Sequence, residues 1–196
     1  GLVERILSLP KACVPCGEVL NEVRISYNDL GLPAREYQSH KGPVDTATTL
    51  YVGYGYDETT EGCELTAGLR PISMTYPNGR VLHYDYAASD DDALNRVTSY
   101  FDNDGATELV RYARLGLGAF VGVDYPEPDL SYTLDPSADG SYAGLDRFGR
   151  VVDHLWKNAA TDQEAMHIRH GYDRADNRLY REDVVAAAHG VDMDEF

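Results

Sequence analysis

A short motif recurs along this 196-residue chain and constrains its fold more than any other feature. It reads aromatic or Leu, then Asp or Asn, two variable residues, Gly or a substitute, and an Arg. Clear copies lie at 27–35, 145–151 and 172–179, and weaker ones at 69–70, 92–97 and 112–117. Because Gly and Asn tolerate the left-handed backbone of tight turns, each copy predicts two strands joined by a turn. One such unit is too small to bury an apolar face, so neighbouring units must pack side by side.

The turn positions recur at a ragged period. They are separated by 38, 26, 21, 33 and 27 residues, at Gly31, Leu69, Asn95, Gly116, Gly149 and Asp176. Between them, apolar and polar residues alternate as in half-buried strands. Before the first turn, for example, Val23, Ile25 and Tyr27 share one face, whereas Glu22 and Arg24 lie on the other.

The same alternation predicts an all-β fold. Further strands are expected at 72–76, 81–86, 97–101, 109–112, 151–155 and 168–172. Only 162–167 and 182–189 are candidates for short helical turns.

Sixteen residues are predicted to build the repeat turns. In each turn the aromatic ring packs inward, the Asp accepts backbone N–H bonds, and the Arg that follows reaches this carboxylate. In the turn at 76–79, Pro fixes φ and Asn-Gly supplies positive φ. The candidate turn residues are Tyr27, Gly31, Arg70, Tyr76, Pro77, Asn78, Gly79, Asp92, Asn95, Arg96, Asp146, Gly149, Arg150, Tyr172, Asp173 and Arg178.

Composition excludes several classes of function. Seventeen Lys and Arg stand against 33 Asp and Glu, and a net charge of -16 is unsuited to binding nucleic acid. No apolar run is long enough for membrane insertion. A chain of this length can fold around its own core, so no cofactor is required and none is predicted. The aromatic residues are mostly tyrosine, with 15 Tyr beside 4 Phe and 1 Trp.

Candidate reactive groups all have simpler interpretations. Cys13 and Cys16 have redox-motif spacing, but a local disulfide or two plain thiols fits their context better, and Cys63 is left over. His167 and His170 would face opposite sides of a strand, which disfavours a shared metal. Asp-rich segments at 90–92 and 102–105 could hold calcium, although solvated turns are the favoured interpretation.

Glycines at 116, 118 and 122 resemble the G-x-G-x-x-G motif of dinucleotide-binding folds. The third glycine, however, is one position later than the motif requires, and no strand–helix–strand pattern surrounds them. No nucleophile elbow or paired carboxylates stand out. The sequence therefore predicts no catalytic residue and no metal site.

Taken together, the repeated units resemble the Rhs or YD-repeat family. The segment 70–86 contains Tyr76-Pro77-Asn78-Gly79 and Tyr84-Asp85-Tyr86 and is similar to the second half of that repeat, while 171–179 is similar to its first half. The resemblance implies β-hairpins that coil into a curved or spiral antiparallel sheet, the wall of a shell around a toxin-like polypeptide or of an extracellular barrel. It also implies a secreted or cell-surface location. Leu134-Asp135-Pro136-Ser137-Ala138 lacks the Gly-Leu of the family's autocleavage motif, so self-cleavage is not implied.

The expected organisation has three parts. Residues 1–18 form a lead-in segment, 19–181 hold about six degenerate hairpin repeats, and 182–196 begin the next unit of a longer chain. The expected partners are neighbouring repeats, another copy pairing through open sheet edges, or a toxin-like polypeptide cargo.

Two functions fit this organisation. The chain is either a non-catalytic wall segment or a β module that binds carbohydrate or protein through exposed tyrosines. Rings packed inside the sheet would favour the wall, and a planar row facing solvent would favour binding. The tyrosines that decide between them are Tyr84, Tyr86, Tyr100, Tyr112 and Tyr172.

Overall fold

The computed structural model describes residues 1–10, 18–57, 69–191, 193 and 194. This part of the chain forms thirteen strands and two short helices, which confirms the all-β prediction. The chain divides into two compact units, Gly1–Thr107 and Glu108–Phe196. All three cysteines lie outside the described residues.

The first unit is an antiparallel meander. Its strands lie in chain order, each hydrogen-bonded to the strand before it. The described elements are β1 (Arg5–Ser8), β2 (Asn21–Tyr27), β3 (Pro33–Ser39), β4 (Tyr51–Tyr56), β5 (Pro71–Thr75), β6 (Val81–Asp85), α1 (Asp90–Ala93) and β7 (Ser99–Phe101). Such up-and-down pairing is what short connections between consecutive strands allow.

The second unit has the same construction, with each strand antiparallel to its predecessor. Its described elements are β8 (Glu108–Leu115), β9 (Ala119–Tyr125), β10 (Leu130–Thr133), β11 (Asp153–Asn158), β12 (Glu164–Tyr172), β13 (Arg178–Asp183) and α2 (Val184–Ala188). Within the described part of the chain, no helix is long and apolar enough to cross a membrane.

Most predicted strands are present, with shifted ends. The helix predicted within 182–189 is confirmed as α2, whereas the helical turn predicted at 162–167 is wrong. There, Asp162 has a φ of 60° and closes a turn, and β12 begins at Glu164. The segment Asp90–Ala93 is a single helical turn, with the Ser89 side chain accepting a hydrogen bond from the Asp91 amide.

Fully buried apolar side chains are few in both units. The buried apolar residues of the described chain are Tyr37, Val44, Val110, Val121, Leu134, Leu155 and Ile168. Most other apolar strand residues are half-buried, as expected where a sheet face lacks a complete second layer. Polar contacts must therefore contribute to the cohesion of the strands.

Glu22 makes the clearest of these polar contacts. The alternation in β2 predicts that Glu22 and Arg24 share the face opposite the apolar residues; the two side chains are in contact, and the side chain of Glu22 is 0% exposed. Its Oε1 accepts bonds from Arg5 Nε at 2.7 Å and Arg24 Nε at 3.0 Å, and its Oε2 accepts the Val44 amide at 2.9 Å. A buried carboxylate is tolerated because three donors replace its lost water.

These contacts join β1, β2 and the loop at 40–50. The bond from Arg5, helped by those from Val44 and Arg24, outweighs burial and lowers the pKa of Glu22 to about 2. Glu22 therefore stabilises the fold above the ordinary carboxyl pKa of 4.5, and this contribution is lost as the pH falls from 4.5 towards 2.

Replacing Glu22 with Gln should lower the thermal unfolding midpoint at pH 7 by roughly 5–10 °C, because two arginines lose their shared charge partner. The difference from the wild-type protein should shrink as the pH falls from 4.5 towards 2. Circular dichroism melts across that range measure both effects. Glu36→Gln, which removes an exposed carboxylate on β3, is the matched control and should change little. Equal melting of the two variants at pH 7 would contradict this role of Glu22.

Candidate functional site

The turns between strands share one backbone geometry. In the turn from Asp146 to Arg150, the Asp146 N–H donates to the Arg150 carbonyl and the Gly149 N–H donates to the Asp146 carbonyl, both at 2.9 Å. Gly149 has a φ of 77°. This is the three-residue hairpin connection in which a type I turn is followed by a left-handed residue. The same pair of bonds closes the turns Asn28–Leu32, Tyr76–Arg80 and Asp173–Asn177.

In three of these turns, the side chain of the first residue caps the turn by accepting backbone N–H bonds. Asp146 Oδ1 accepts the amides of Phe148 at 2.8 Å and Arg150 at 3.0 Å. Asn28 and Asp173 accept the equivalent amides two and four residues further on. Partial burial raises the pKa of Asp146, but its bonds from Arg150 and the turn amides outweigh burial and hold the pKa below its usual value.

The turn at 76–79 differs from the prediction in one respect. Gly79 has a φ of 85°, but Asn78 is not in the positive-φ region, so the expectation that Asn-Gly as a pair supplies positive φ is wrong. Asn78 instead accepts the Arg80 amide through Oδ1 at 3.1 Å. Tyr76 occupies the position that Asp146 has in its own turn, and Pro77 follows it.

Among the described residues, three arginines each connect one turn to the turn two strands further along the sheet. Arg150 binds Asp146 in its own turn, with Nε 2.7 Å from Oδ2. Its NH1 also donates to the Asp173 carbonyl at 2.9 Å and to Asp176 Oδ1 at 3.2 Å, both in the following turn. The guanidinium lies 4.8 Å from the centre of the Tyr172 ring. We call this arrangement, an arginine joined to a polar group of the next turn, an arginine clamp.

Two more arginine clamps lie in the first unit. Arg70 binds Asp92 Oδ1 at 2.5 Å and Asn95 Oδ1 at 2.8 Å, and it covers the Tyr86 ring at 4.4 Å. Arg80 binds Asp102 Oδ1 at 2.7 Å. In all three clamps the partners are separated by 22 to 26 residues, so each arginine reaches the equivalent region of the following turn.

Tyrosine hydroxyls supply a second set of repeated contacts. Tyr27 donates to the Val3 carbonyl at 2.7 Å, Tyr56 to Pro33 at 2.9 Å and Tyr86 to Pro71 at 2.8 Å. Each of these tyrosines lies at or just after the end of one strand and reaches a residue at, or two positions before, the start of the preceding strand. The ring and the hydroxyl are used together, since the ring is partly buried while its polar end is satisfied by backbone.

The remaining predicted turn residues occupy more varied positions. Gly31 and Asn95 have φ values of 77° and 55°. Arg96 pairs with Asp91 at 2.6 Å. Arg178 is the first residue of β13 and is exposed. The sequence did not single out Tyr56, and it placed Asp102 in a turn without its partner Arg80, although an Arg-to-acid spacing of 22 residues was present as a signal.

The tyrosines chosen to decide between the two functions are all half-buried. Their ring contacts are angled: Tyr84 and Tyr100 meet edge to face at 82°, and Tyr112 meets Phe120 at 57°. These rings therefore pack against one another and do not form a flat exposed row.

The histidines and the acidic segments have partners within the fold. His167 lies between Asp153 Oδ1 at 2.7 Å and Glu164 Oε2 at 3.1 Å. His170 is on the same strand, with its ring 6.0 Å from that of His154. Among the described residues, no group of three His, Cys, Asp or Glu could hold a metal ion.

Gly116 has a φ of 59° and lies in the β8–β9 hairpin.

The fold is similar to that of segments of toxin-complex proteins. One solved structure is the Tc holotoxin pore of Photorhabdus luminescens, which matches 86% of this chain with a TM-score of 0.56 and 11% identity. A crystal structure of TcdB2-TccC3-TEV matches 86% with a TM-score of 0.55 and 12% identity. In both cases the match spans about 8% of the larger chain.

At this identity the similarity shows a shared fold. No protein-family model matches the sequence, and a search of curated proteins finds no significant relative.

Replacing Gly149 with Ala should destabilise the protein by about 1 kcal/mol, because a Cβ disfavours positive φ. No atom lies within 4 Å of the added carbon, so the cost is conformational. Gly149→Asn should cost less, since Asn tolerates this region. Gly118→Ala, in equally open space without positive φ, is the control and should be neutral. Urea denaturation measures all three, and equal stability of the two alanine variants would contradict this explanation.

Replacing Arg150 with Lys should lower the unfolding midpoint by roughly 3–6 °C although charge is kept, because an ammonium cannot reach three oxygens and stack on a ring. The control is Arg147→Lys, since Arg147 belongs to the same turn but is exposed and lies over Phe148. Differential scanning calorimetry compares the two. If Arg150→Lys has the same unfolding midpoint as the wild-type protein, the clamp contributes nothing to stability.

Proposed function

We propose that this chain is a non-catalytic wall segment of an Rhs- or YD-type shell that encloses a polypeptide cargo or forms a cell-surface scaffold. The observation that carries the proposal is the arginine clamp, which repeats where Arg70, Arg80 and Arg150 each meet the next turn. Such contacts serve a continuous surface, because each connects one hairpin to its successor.

The antiparallel meanders and the fold similarity to toxin-complex chains support this proposal. The solved neighbours are parts of a holotoxin assembly and of a TcdB2-TccC3 structure, and this chain matches a small share of each. A short segment of a long wall is the role that fits a match of this extent. The proposed partners are neighbouring repeats and an enclosed toxin-like polypeptide, and the proposed location is secreted or at the cell surface.

The alternative binding module receives less support. Ring stacking on a ligand needs exposed, coplanar aromatic faces, whereas Tyr86 and Tyr172 are half-buried beneath Arg70 and Arg150. Burial also raises the pKa of Tyr86 above its usual value, despite the opposing effect of Arg70. These tyrosines are used to hold strands together.

The proposal predicts that this segment shields other parts of the protein that contains it. We would express that protein intact and with residues 1–196 deleted, treat both with proteinase K, and follow cleavage outside the segment by mass spectrometry. The intact protein should protect a stretch of polypeptide that the deletion exposes. Unchanged protection after deletion would contradict the wall function.

A deletion can also unfold the remaining chain, so a milder variant is needed. Arg70→Ala with Arg150→Ala removes two clamps and should make the enclosed polypeptide cleavable at a temperature below the unfolding midpoint of the variant. Arg147→Ala with Arg174→Ala removes two exposed arginines at turn positions and should leave protection intact. Equal protection in both double variants would likewise count against the proposal.

A further inference from the structure

Two neighbouring turns of the second unit form the sides of a cleft. They are the turns Asp146–Arg150 and Asp173–Asn177, which lie at the same end of the sheet with β11 and β12 between them. Because neighbouring strands are roughly 4.8 Å apart, equivalent positions of the two turns are separated by roughly 10 Å. The cleft has a volume of about 620 Å³. That volume lies within the roughly 300–1,000 Å³ range of ligand sites.

The charge of this cleft is opposite to that of the whole chain. Three arginines and two aspartates line it, whereas the chain carries 33 Asp and Glu against 17 Lys and Arg. Both aspartates are already used within the fold. Asp146 binds Arg150, and Asp173 accepts the amides of Ala175 at 2.8 Å and Asn177 at 2.9 Å. The arginines are therefore in excess, which favours an anionic ligand.

Two of the three arginines are available to such a ligand. Arg150 pairs with Asp146 and Asp176. Within the part of the chain that the structure describes, Arg147 and Arg174 form no ion pair. Both are exposed, and each is the second residue of its turn. A guanidinium presents a planar set of N–H donors that matches a carboxylate in a bidentate pair.

Phe148 adds an apolar surface to the same cleft. Its side chain is 64% exposed, and the Arg147 guanidinium lies 4.6 Å from the centre of its ring. Aromatic residues and arginine are the types that are enriched where one protein binds another. A small inorganic anion gains nothing from this ring, whereas an apolar side chain of a peptide can pack on it.

The two sides of the cleft are joined to each other by the arginine clamp. Arg150 NH1 donates to the Asp173 carbonyl at 2.9 Å, and its guanidinium covers the Tyr172 ring at 4.8 Å. The clamp thus holds the floor of the cleft in place without using Arg147 or Arg174. A preformed site reduces the entropy cost of binding.

We infer that this cleft binds an extended acidic segment of polypeptide. In an extended chain, side chains at i, i+2 and i+4 share one side at steps of roughly 7 Å. Acidic residues at i and i+4 can pair with Arg147 and Arg174, while an apolar residue at i+2 packs on Phe148. A short segment touches only this cleft, whereas a long polyanion would also meet the acidic remainder of the surface. The inference does not rest on the wall function, because it uses two arginines that form no clamp.

The test is an NMR titration of the ¹⁵N-labelled chain with the capped peptide Glu-Ser-Phe-Ser-Glu. Amide shifts should be confined to residues 146–150 and 172–177, with a dissociation constant of about 0.1–1 mM at low salt. Raising the salt concentration to about 0.2 M should weaken binding, because exposed ion pairs are screened. The same peptide with glutamine in place of both glutamates should bind about tenfold more weakly. This comparison uses the unchanged chain, so it does not depend on how a variant folds.

Variants of the cleft separate its two kinds of contact. Arg147→Ala with Arg174→Ala should weaken binding of the glutamate peptide about fivefold to tenfold. Phe148→Ala should weaken it about threefold, because it removes the aromatic surface but no charge. Lys41→Ala with Arg111→Ala is the matched control. It removes the same charge from exposed residues that do not line the cleft, and it should leave binding unchanged.

Four outcomes would overturn the inference. The glutamate peptide at about 5 mM causes no shifts at these residues, the glutamine peptide binds equally well, or the double arginine variant binds as the wild-type chain does. The fourth is displacement of the peptide by about 10 mM inorganic phosphate at constant ionic strength, since the cleft would then be a site for small anions. Protease protection of an enclosed polypeptide is a separate measurement, in which Arg147→Ala with Arg174→Ala should behave as the wild type. The inference and the wall function can therefore fail independently.

Discussion

Arginines that reach from one turn to the next are the interaction on which the arrangement of hairpins depends. A strand meander with few fully buried apolar residues gains less from hydrophobic burial than a two-layered domain of the same length. Backbone hydrogen bonds hold each strand to its neighbour, but they do not connect one turn to another. Arg70 and Arg150 fill this gap, because each binds the following turn and covers a tyrosine ring. Planarity and several donors make arginine suited to both contacts at once.

Glu22 shows the same principle inside the first unit. A chain with a net charge of -16 carries many carboxylates that repel one another, yet this one is buried and useful. Three donors from separate parts of the chain converge on it, so its charge is neutralised locally and its lone pairs are filled. Few cationic residues are available in this sequence, and the structure places several of them at junctions between elements.

The sequence was sufficient for features that are local. The turn at Asp146 to Arg150 could be predicted because a capping carboxylate and a positive-φ glycine act within five residues. Contacts from Arg150 to Asp176 depend on strand register, which the motif does not specify. The burial of Glu22 could not be predicted from the sequence, because Arg5 and Val44, which make it possible, are distant along the chain. The helical turn predicted at 162–167 was wrong because the alternation in β12 begins within that window.

The shared turn geometry also explains where variation can occur. Closing the turn needs the capping first residue, the left-handed fourth residue and, where a clamp forms, the arginine at the fifth position. Among the second and third residues, only Asn78 uses its side chain to close the turn; Leu30, Phe148 and Ala175 contribute only a backbone amide to the cap. Within the described part of the chain, the second and third residues are exposed in the four turns of this type: Asp29 and Leu30, Pro77 and Asn78, Arg147 and Phe148, and Arg174 and Ala175. Because a backbone amide can serve the cap whatever side chain it carries, a repeat of this kind can change its outer surface at the second and third positions, apart from Asn78, while its hairpins stay in register.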